Sequence, residues 1–229
     1  MRIHYLQHTP FENTALIKKW AQENGCAING TRIHKGEPLP DPDTFDLLIS
    51  LGGPQNICEL EKYQFLKQEV EYIRDLTQAN KKILGICLGA QIISAAFGAL
   101  PESSPEKEVG LFPVSLNDAG QSDPILKGFP NKFNAIHWHY RMPGLPKGAT
   151  ILGNSQGCPR QIIKFQPNIY GIQFHLEIVK DSLHEMFRFC GDYFDPPSPY
   201  TQEKSLFMDH CFNEPHTLLK QIMNNFLTV

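Results

Sequence analysis

A cysteine framed by two glycines, Gly85-Ile86-Cys87-Leu88-Gly89, closes the apolar run Ile83-Leu84-Gly85-Ile86 and constrains this chain more than any other feature. The run reads as a buried strand, and Ala90 to Phe97 behind it reads as a helix. A Gly-x-nucleophile-x-Gly spacing suits a sharp strand-to-helix turn, because side chains at the flanking positions would collide with the elements they pack against. Such a turn presents the thiol at a helix start, where unpaired N–H groups and the positive end of the helix dipole favour an anion. A shift of about two pKa units, roughly 2.7 kcal/mol, would make thiolate the major form at neutral pH. A shift of that size calls for a partner imidazole. The competing reading is a small core residue, the usual fate of a free cysteine.

Strand and helix patterns alternate through most of the 229 residues. Ile3 to Leu6 predicts a first strand, Asn13 to Asn24 an amphipathic helix stopped by Gly25, and Phe45 to Leu51 a strand closed by Gly52-Gly53-Pro54. Leu66, Val70, Ile73 and Leu76 recur at helical spacing between Leu60 and Gln78. Ile162 to Phe165 and Ile169 to Phe174 predict two more strands across the turn Gln166-Pro167-Asn168. This order implies right-handed crossovers and an α/β fold: an open, mostly parallel twisted sheet with helices on both faces. Pro196-Pro197-Ser198-Pro199 breaks the pattern, so residues 1–195 are expected to form the main domain. Residues 196–229, with a helix carrying Leu218, Leu219, Ile222, Met223 and Phe226, are expected to be an extension packed on it.

Net charge is −3 and no long Lys/Arg run occurs, which argues against a nucleic-acid or anionic-membrane partner. No apolar run is long enough to span a bilayer, and Met1-Arg2-Ile3-His4-Tyr5 lacks the apolar stretch of a secretory signal. Six cysteines at 26, 58, 87, 158, 190 and 211 show no paired spacing, which fits reduced thiols. A cytoplasmic protein is expected.

In a doubly wound sheet, residues just after strands converge on one site. Gly52-Gly53-Pro54, Cys87 and His175-Leu176-Glu177 all stand there. His175 is the candidate base for the thiol proton, and Glu177 the group that would hold its tautomer. Gly52-Gly53 is either a plain turn or a backbone donor for a developing oxyanion. His137 and His139 would face the same way on a strand, but no nearby carboxylate or cysteine completes a ligand set, so no metal is expected. Trp138 between them reads as packing and Cys158 as inert. No cofactor is expected.

Leu51-Gly52-Gly53-Pro54, Gly85 to Gln91 and Gly171-Ile172-Gln173-Phe174-His175-Leu176-Glu177, in that order, resemble the three signatures of class I glutamine amidotransferase domains, from the first strand to about residue 195. Leu6-Gln7-His8-Thr9-Pro10-Phe11-Glu12, Lys107-Glu108-Val109-Gly110 and His137-Trp138-His139 are similar to free-standing members that resemble the glutaminase portion of GMP synthase. The resemblance implies a flavodoxin-like sheet in which Cys87 attacks the side-chain amide of glutamine and His175 relays the proton, oriented by Glu177. It implies an oxyanion hole from the amides of Gly53 and Leu88, with Gln91 gripping the substrate and the Tyr140 backbone holding its amino-acid end. Leu176 stands where many members have proline, and Tyr140-Arg141 where relatives often carry Gly-Asp.

The expected activity is a glutaminase or amidotransferase that gives glutamate and ammonia, with a separate synthetase as possible partner, since no phosphate-binding loop is visible. Two alternatives stay open. One is a γ-glutamyl peptidase using the same thiol, for which Arg141 would supply a cation to an extra substrate carboxylate. The other is a non-catalytic regulatory protein of the same fold.

Overall fold

The computed structural model describes residues 1–210 and 212–228, so Cys211 lies outside the described residues. Ten strands form one sheet: β1 (Arg2–Leu6), β2 (Ala27–Thr31), β3 (Leu47–Ser50), β4 (Lys82–Ile86), β5 (Glu102–Leu116), β6 (Lys132–Met142), β7 (Thr150–Asn154), β8 (Ile162–Gln166), β9 (Ile169–Ile172) and β10 (Tyr200–Thr201). The helices are α1 (Ala15–Glu23), α2 (Gln64–Gln78), α3 (Leu88–Ala96), α4 (Asp118–Ser122), α5 (Lys180–Cys190), α6 (Lys204–Asp209) and α7 (Asn213–Thr228).

The order β2-β1-β3-β4-β9 is parallel throughout. Leu47, Leu48, Ile49 and Ser50 of β3 are all buried, as a strand covered on both faces requires. Beyond β9 the sheet turns antiparallel through β8, β7, β5 and β6, with β10 adding a short parallel pairing to β5. The sheet is therefore mixed, and its parallel half carries the turns after β3, β4 and β9.

Two apolar layers cover that half. Ile17 and Trp20 of α1 pack with Leu84, Ile86 and Ile172 on one face, and α2 and α3 bury Leu66, Ile73, Ile92 and Ile93 against Leu48 and Ile83 on the other. Leu219, Met223 and Phe226 of α7 join the first layer, and Trp20 Nε1 donates to Asn224 Oδ1 at 2.9 Å. The C-terminal segment is thus built into the main core. A third cluster forms under α5, where Trp138 packs edge-on to Phe187 at 4.9 Å and to Phe194 at 5.4 Å. No described helix is long and apolar enough to cross a membrane.

Candidate active site

The turn at Cys87 is as tight as its glycines suggest. Cys87 has φ 52° and ψ −107°, a left-handed conformation that costs a non-glycine residue about 1–3 kcal/mol. Its N–H is held by the Ile172 carbonyl at 2.8 Å, and Gly89 N–H by the Leu51 carbonyl at 3.1 Å. A Cβ on Gly89 would lie 2.0 Å from the Ser50 carbonyl oxygen, and one on Gly85 2.5 Å from the Gly89 carbonyl carbon. Both glycines are required by close approach of the backbone.

His175 is fixed from a different direction. Its N–H donates to the Ile136 carbonyl at 2.8 Å, and Ile136 N–H returns a bond at 3.2 Å, so β6 anchors the segment that follows β9. His175 Nδ1 lies 2.7 Å from Glu177 Oε1, while Glu177 Oε2 accepts from Leu176 N–H at 3.0 Å. A carboxylate on Nδ1 keeps the proton there and leaves Nε2 as the reactive nitrogen. That Nε2 is buried without a hydrogen-bond partner. Burial opposes charge on the imidazole, but the Glu177 carboxylate and the Cys87 sulfur outweigh it and raise its pKa well above the ordinary range.

A cavity of about 210 Å³ opens beside the sulfur, lined by Gly53, Cys87, Gln91, His139, Tyr140 and Arg141 among others. The Gly53 amide is aimed by a buried network behind it. His8 donates to Glu69 Oε2 at 2.6 Å and to the Gly52 carbonyl at 3.2 Å, and Ser50 Oγ donates to Glu69 Oε1 at 2.7 Å. Burial disfavours charge on His8, yet Glu69 and the Gly52 carbonyl raise its pKa, so both ring nitrogens donate. In a trans peptide the carbonyl and the following N–H point opposite ways. Pinning the Gly52 oxygen to His8 therefore turns Gly53 N–H away from His8, and Gly53 itself lines the cavity.

Gln91 reaches Gln173 Oε1 at 3.0 Å and the Arg141 carbonyl at 3.5 Å. Gln173 Nε2 in turn donates to Cys87 Sγ at 3.4 Å. Sequence reasoning gave Gln173 no role; its place two residues before His175, facing back from a buried strand end, was the available signal. Tyr140 is half-exposed and sits where the β5–β6 register shifts between Ser103 and Glu108. Its side chain lines both this cavity and the one beside Pro196-Pro197.

The expectation that no carboxylate lies near His137 and His139 is corrected. Register places Glu108 of β5 opposite His139 of β6, and Glu108 Oε2 lies 3.4 Å from His137 Nδ1 and 3.3 Å from His139 Nε2. The residue types suit a metal. The same oxygen, however, already accepts from Ser155 Oγ at 2.8 Å and Gln161 Nε2 at 2.7 Å, and Gln161 Nε2 also sits 3.3 Å from each imidazole. The group is a buried hydrogen-bond network. Burial works against the Glu108 charge, but the two imidazoles overcome it and hold its pKa far below the usual carboxylate range.

Residues 11–190 match the family model described as glutamine amidotransferase class-I. The chain belongs to the class I glutamine amidotransferase family. It is 38% identical over 192 residues to the glutamine amidotransferase-like protein YfeJ of Salmonella typhimurium, an alignment spanning 82% of this chain and 80% of that one. It is 32% identical over 154 residues to a subunit of the glutamine-hydrolyzing GMP synthase of Sulfurisphaera tokodaii, covering 66% and 77% of the two chains. The crystal structure of SMU.1228c superposes with a TM-score of 0.93 at 35% identity over 99% of this chain and all of that one. A glutamine amidotransferase from Thermotoga maritima shares the fold, with a TM-score of 0.85 at 24% identity over 99% and 96% of the chains.

Proposed function

We propose that this class I glutamine amidotransferase hydrolyses the side-chain amide of glutamine through a thioester on Cys87. The observation that carries this reading is the cavity-lining Cys87 sulfur acting directly on His175, whose Nε2 is buried without a hydrogen-bond partner and whose other nitrogen is held by Glu177. The Cys87 sulfur attacks the amide carbon, and the resulting oxyanion is received by the amides of Gly53 and Leu88, donors worth roughly 3 kcal/mol each in acyl transfer. The carbon–nitrogen bond breaks as His175 passes its proton to the departing ammonia. Water then attacks the thioester, His175 takes its proton, glutamate leaves and the thiol is restored. Gln91 and the Tyr140 backbone hold the substrate, and residues 1–195 supply the whole reaction site.

Relatives named as a subunit of a GMP synthase support a separate synthetase partner as the consumer of the ammonia. The five described cysteines are free, which suits the reducing cytoplasm where we place this activity. A second substrate class is favoured by one observation. Arg141 lines the cavity and its guanidinium reaches the Cys58 sulfur at 3.5 Å, a weak partner that leaves the cation free to meet an extra carboxylate of a γ-glutamyl peptide.

Glutamate release from glutamine and from a panel of γ-glutamyl peptides tests both readings. Glutamate from at least one of them, lost in Cys87→Ala, is the expected result. Equal release by wild type and Cys87→Ala would overturn the assignment of the nucleophile.

A further inference from the structure

Glu12 is a buried acid that the reaction above does not use. Its Oε2 is sealed from solvent without a hydrogen-bond partner. A Cβ added to Gly52 would lie 2.0 Å from Glu12 Oε2 and 3.0 Å from His175 Cε1, so the carboxyl group and the carbon edge of the imidazole flank one glycine. Only a residue without a side chain lets them approach this closely. The segment is fastened there at several points: Phe11 stacks on Phe189 at 5.0 Å, Asn13 Oδ1 accepts from Ala15 N–H at 2.8 Å, and Leu16 N–H reaches the Glu177 carbonyl at 3.3 Å.

A carboxyl group in such a place must either be neutral or be charged against a partner. Burial raises its pKa to about 7, opposed by His175 and His8 and reinforced by Glu177. The Cys190 thiol of α5 also feels Glu12, and Glu69 stands behind His8 on its other side. Cys190 is pushed up to about 12 by burial and then by Glu12 and Cys87, so it stays neutral across the working range. Glu177 alone suffices to fix the His175 tautomer, and an apolar side chain would fill the corner without an orphaned oxygen. The second carboxyl group therefore has a role in charge rather than in packing.

We propose that Glu12 is a positioning residue for His175, a second carboxyl group on the Cε1 side of the ring whose proton state sets how firmly the imidazole keeps its own proton. With Glu12 protonated, Glu177 is the one carboxylate stabilising the imidazolium, and the ring releases its proton more readily. With Glu12 ionised, two carboxylates hold the imidazolium and it persists to higher pH. The two states suit the two halves of the reaction, in which His175 first gives a proton to ammonia and then accepts one from water. The inference rests on the reading of His175 as the acid and base of the site.

The test follows the Cε1–H resonance of His175 by NMR in protein carrying histidine labelled with carbon-13 at Cε1, identified by its loss in His175→Asn. In Glu12→Gln the imidazole should titrate about one pH unit lower than in wild type, with Glu12→Asp in between. If Glu12→Gln does not fold, Glu12→Asp decides by a shift in the same direction. An unchanged His175 titration in a folded variant would overturn the proposal. Because no substrate is present, a protein that proves inactive on glutamine still answers the question. With an active substrate, Glu12→Gln should reshape the pH profile of kcat and leave KM within about twofold.

Discussion

Two buried groups of histidine and carboxylate stand on the same sheet, one at the carboxyl ends of the parallel strands and the other across β5 and β6. At the first, His175 is bound to Glu177 through Nδ1, and its Nε2 is buried with no hydrogen-bond partner. At the second, Glu108 Oε2 takes hydrogen bonds from Ser155 and Gln161 and sits beside both imidazoles, so its acceptor capacity is used up internally. The acids respond in opposite ways. Glu108 is held far below the usual range by its imidazoles, while Glu12, left with an orphaned oxygen, is pushed by burial up to about 7. Residue types do not separate the two groups; the neighbour does, since His175 stands against the cavity-lining Cys87 sulfur while the Glu108 carboxylate is held by Ser155 and Gln161.

This contrast breaks most readily at Glu177. Glu177→Gln should lower kcat by about 10³-fold, because a neutral amide neither fixes the tautomer nor stabilises the imidazolium. Its melting point should fall less than that of the Glu108 variant, since Glu177 holds one imidazole and one backbone N–H and an isosteric amide oxygen can still accept from one of them. Steady-state glutamate release and thermal unfolding together check this.

The opposite pattern is expected at Glu108. Removing one partner of a buried charged network costs about 3 kcal/mol or more, so Glu108→Gln should unfold at lower denaturant while the folded fraction keeps a kcat within about threefold of wild type. The pH dependence has a definite sign. Glu108's folded pKa lies below its ordinary value of 4.5, so its contribution is present above pH 4.5 and is lost as pH falls toward the depressed value. Urea melts at pH 7 and pH 3.5 should show that acid-labile part in wild type and not in Glu108→Gln.

The smallest effect is expected at Tyr140. If the substrate is held by the backbone there, Tyr140→Phe should change kcat/KM by less than about twofold. A tenfold loss would assign the phenol a direct contact.

How much of this was legible beforehand depends on the range of the interactions. The strands leading to Ser50, Ile86 and Ile172, the turn at Cys87 and the pairing of His175 with Glu177 follow from patterns a few residues long, while bringing Cys87 and His175 together takes the β4–β9 pairing and the anchor from Ile136 on β6. β5 and β6 were harder to read because Pro105, Gly110 and Pro113 interrupt β5, and its pairing with β6 is fixed by a partner some thirty residues away. Glu108 therefore looked remote from His137 and His139. Glu12 was invisible as a functional group for the same reason: its meaning comes from Gly52 and His175, which only the folded chain brings beside it.

The central claim is that Cys87 is a glutamine-directed nucleophile activated by His175. Treating the protein with a glutamine-like diazoketone and mapping the adduct by mass spectrometry tests it most directly. One adduct per chain on Cys87, competed by glutamine and slowed at least about tenfold in His175→Asn, is the predicted result. An unmodified Cys87 in protein whose same thiol reacts readily with iodoacetamide would contradict it.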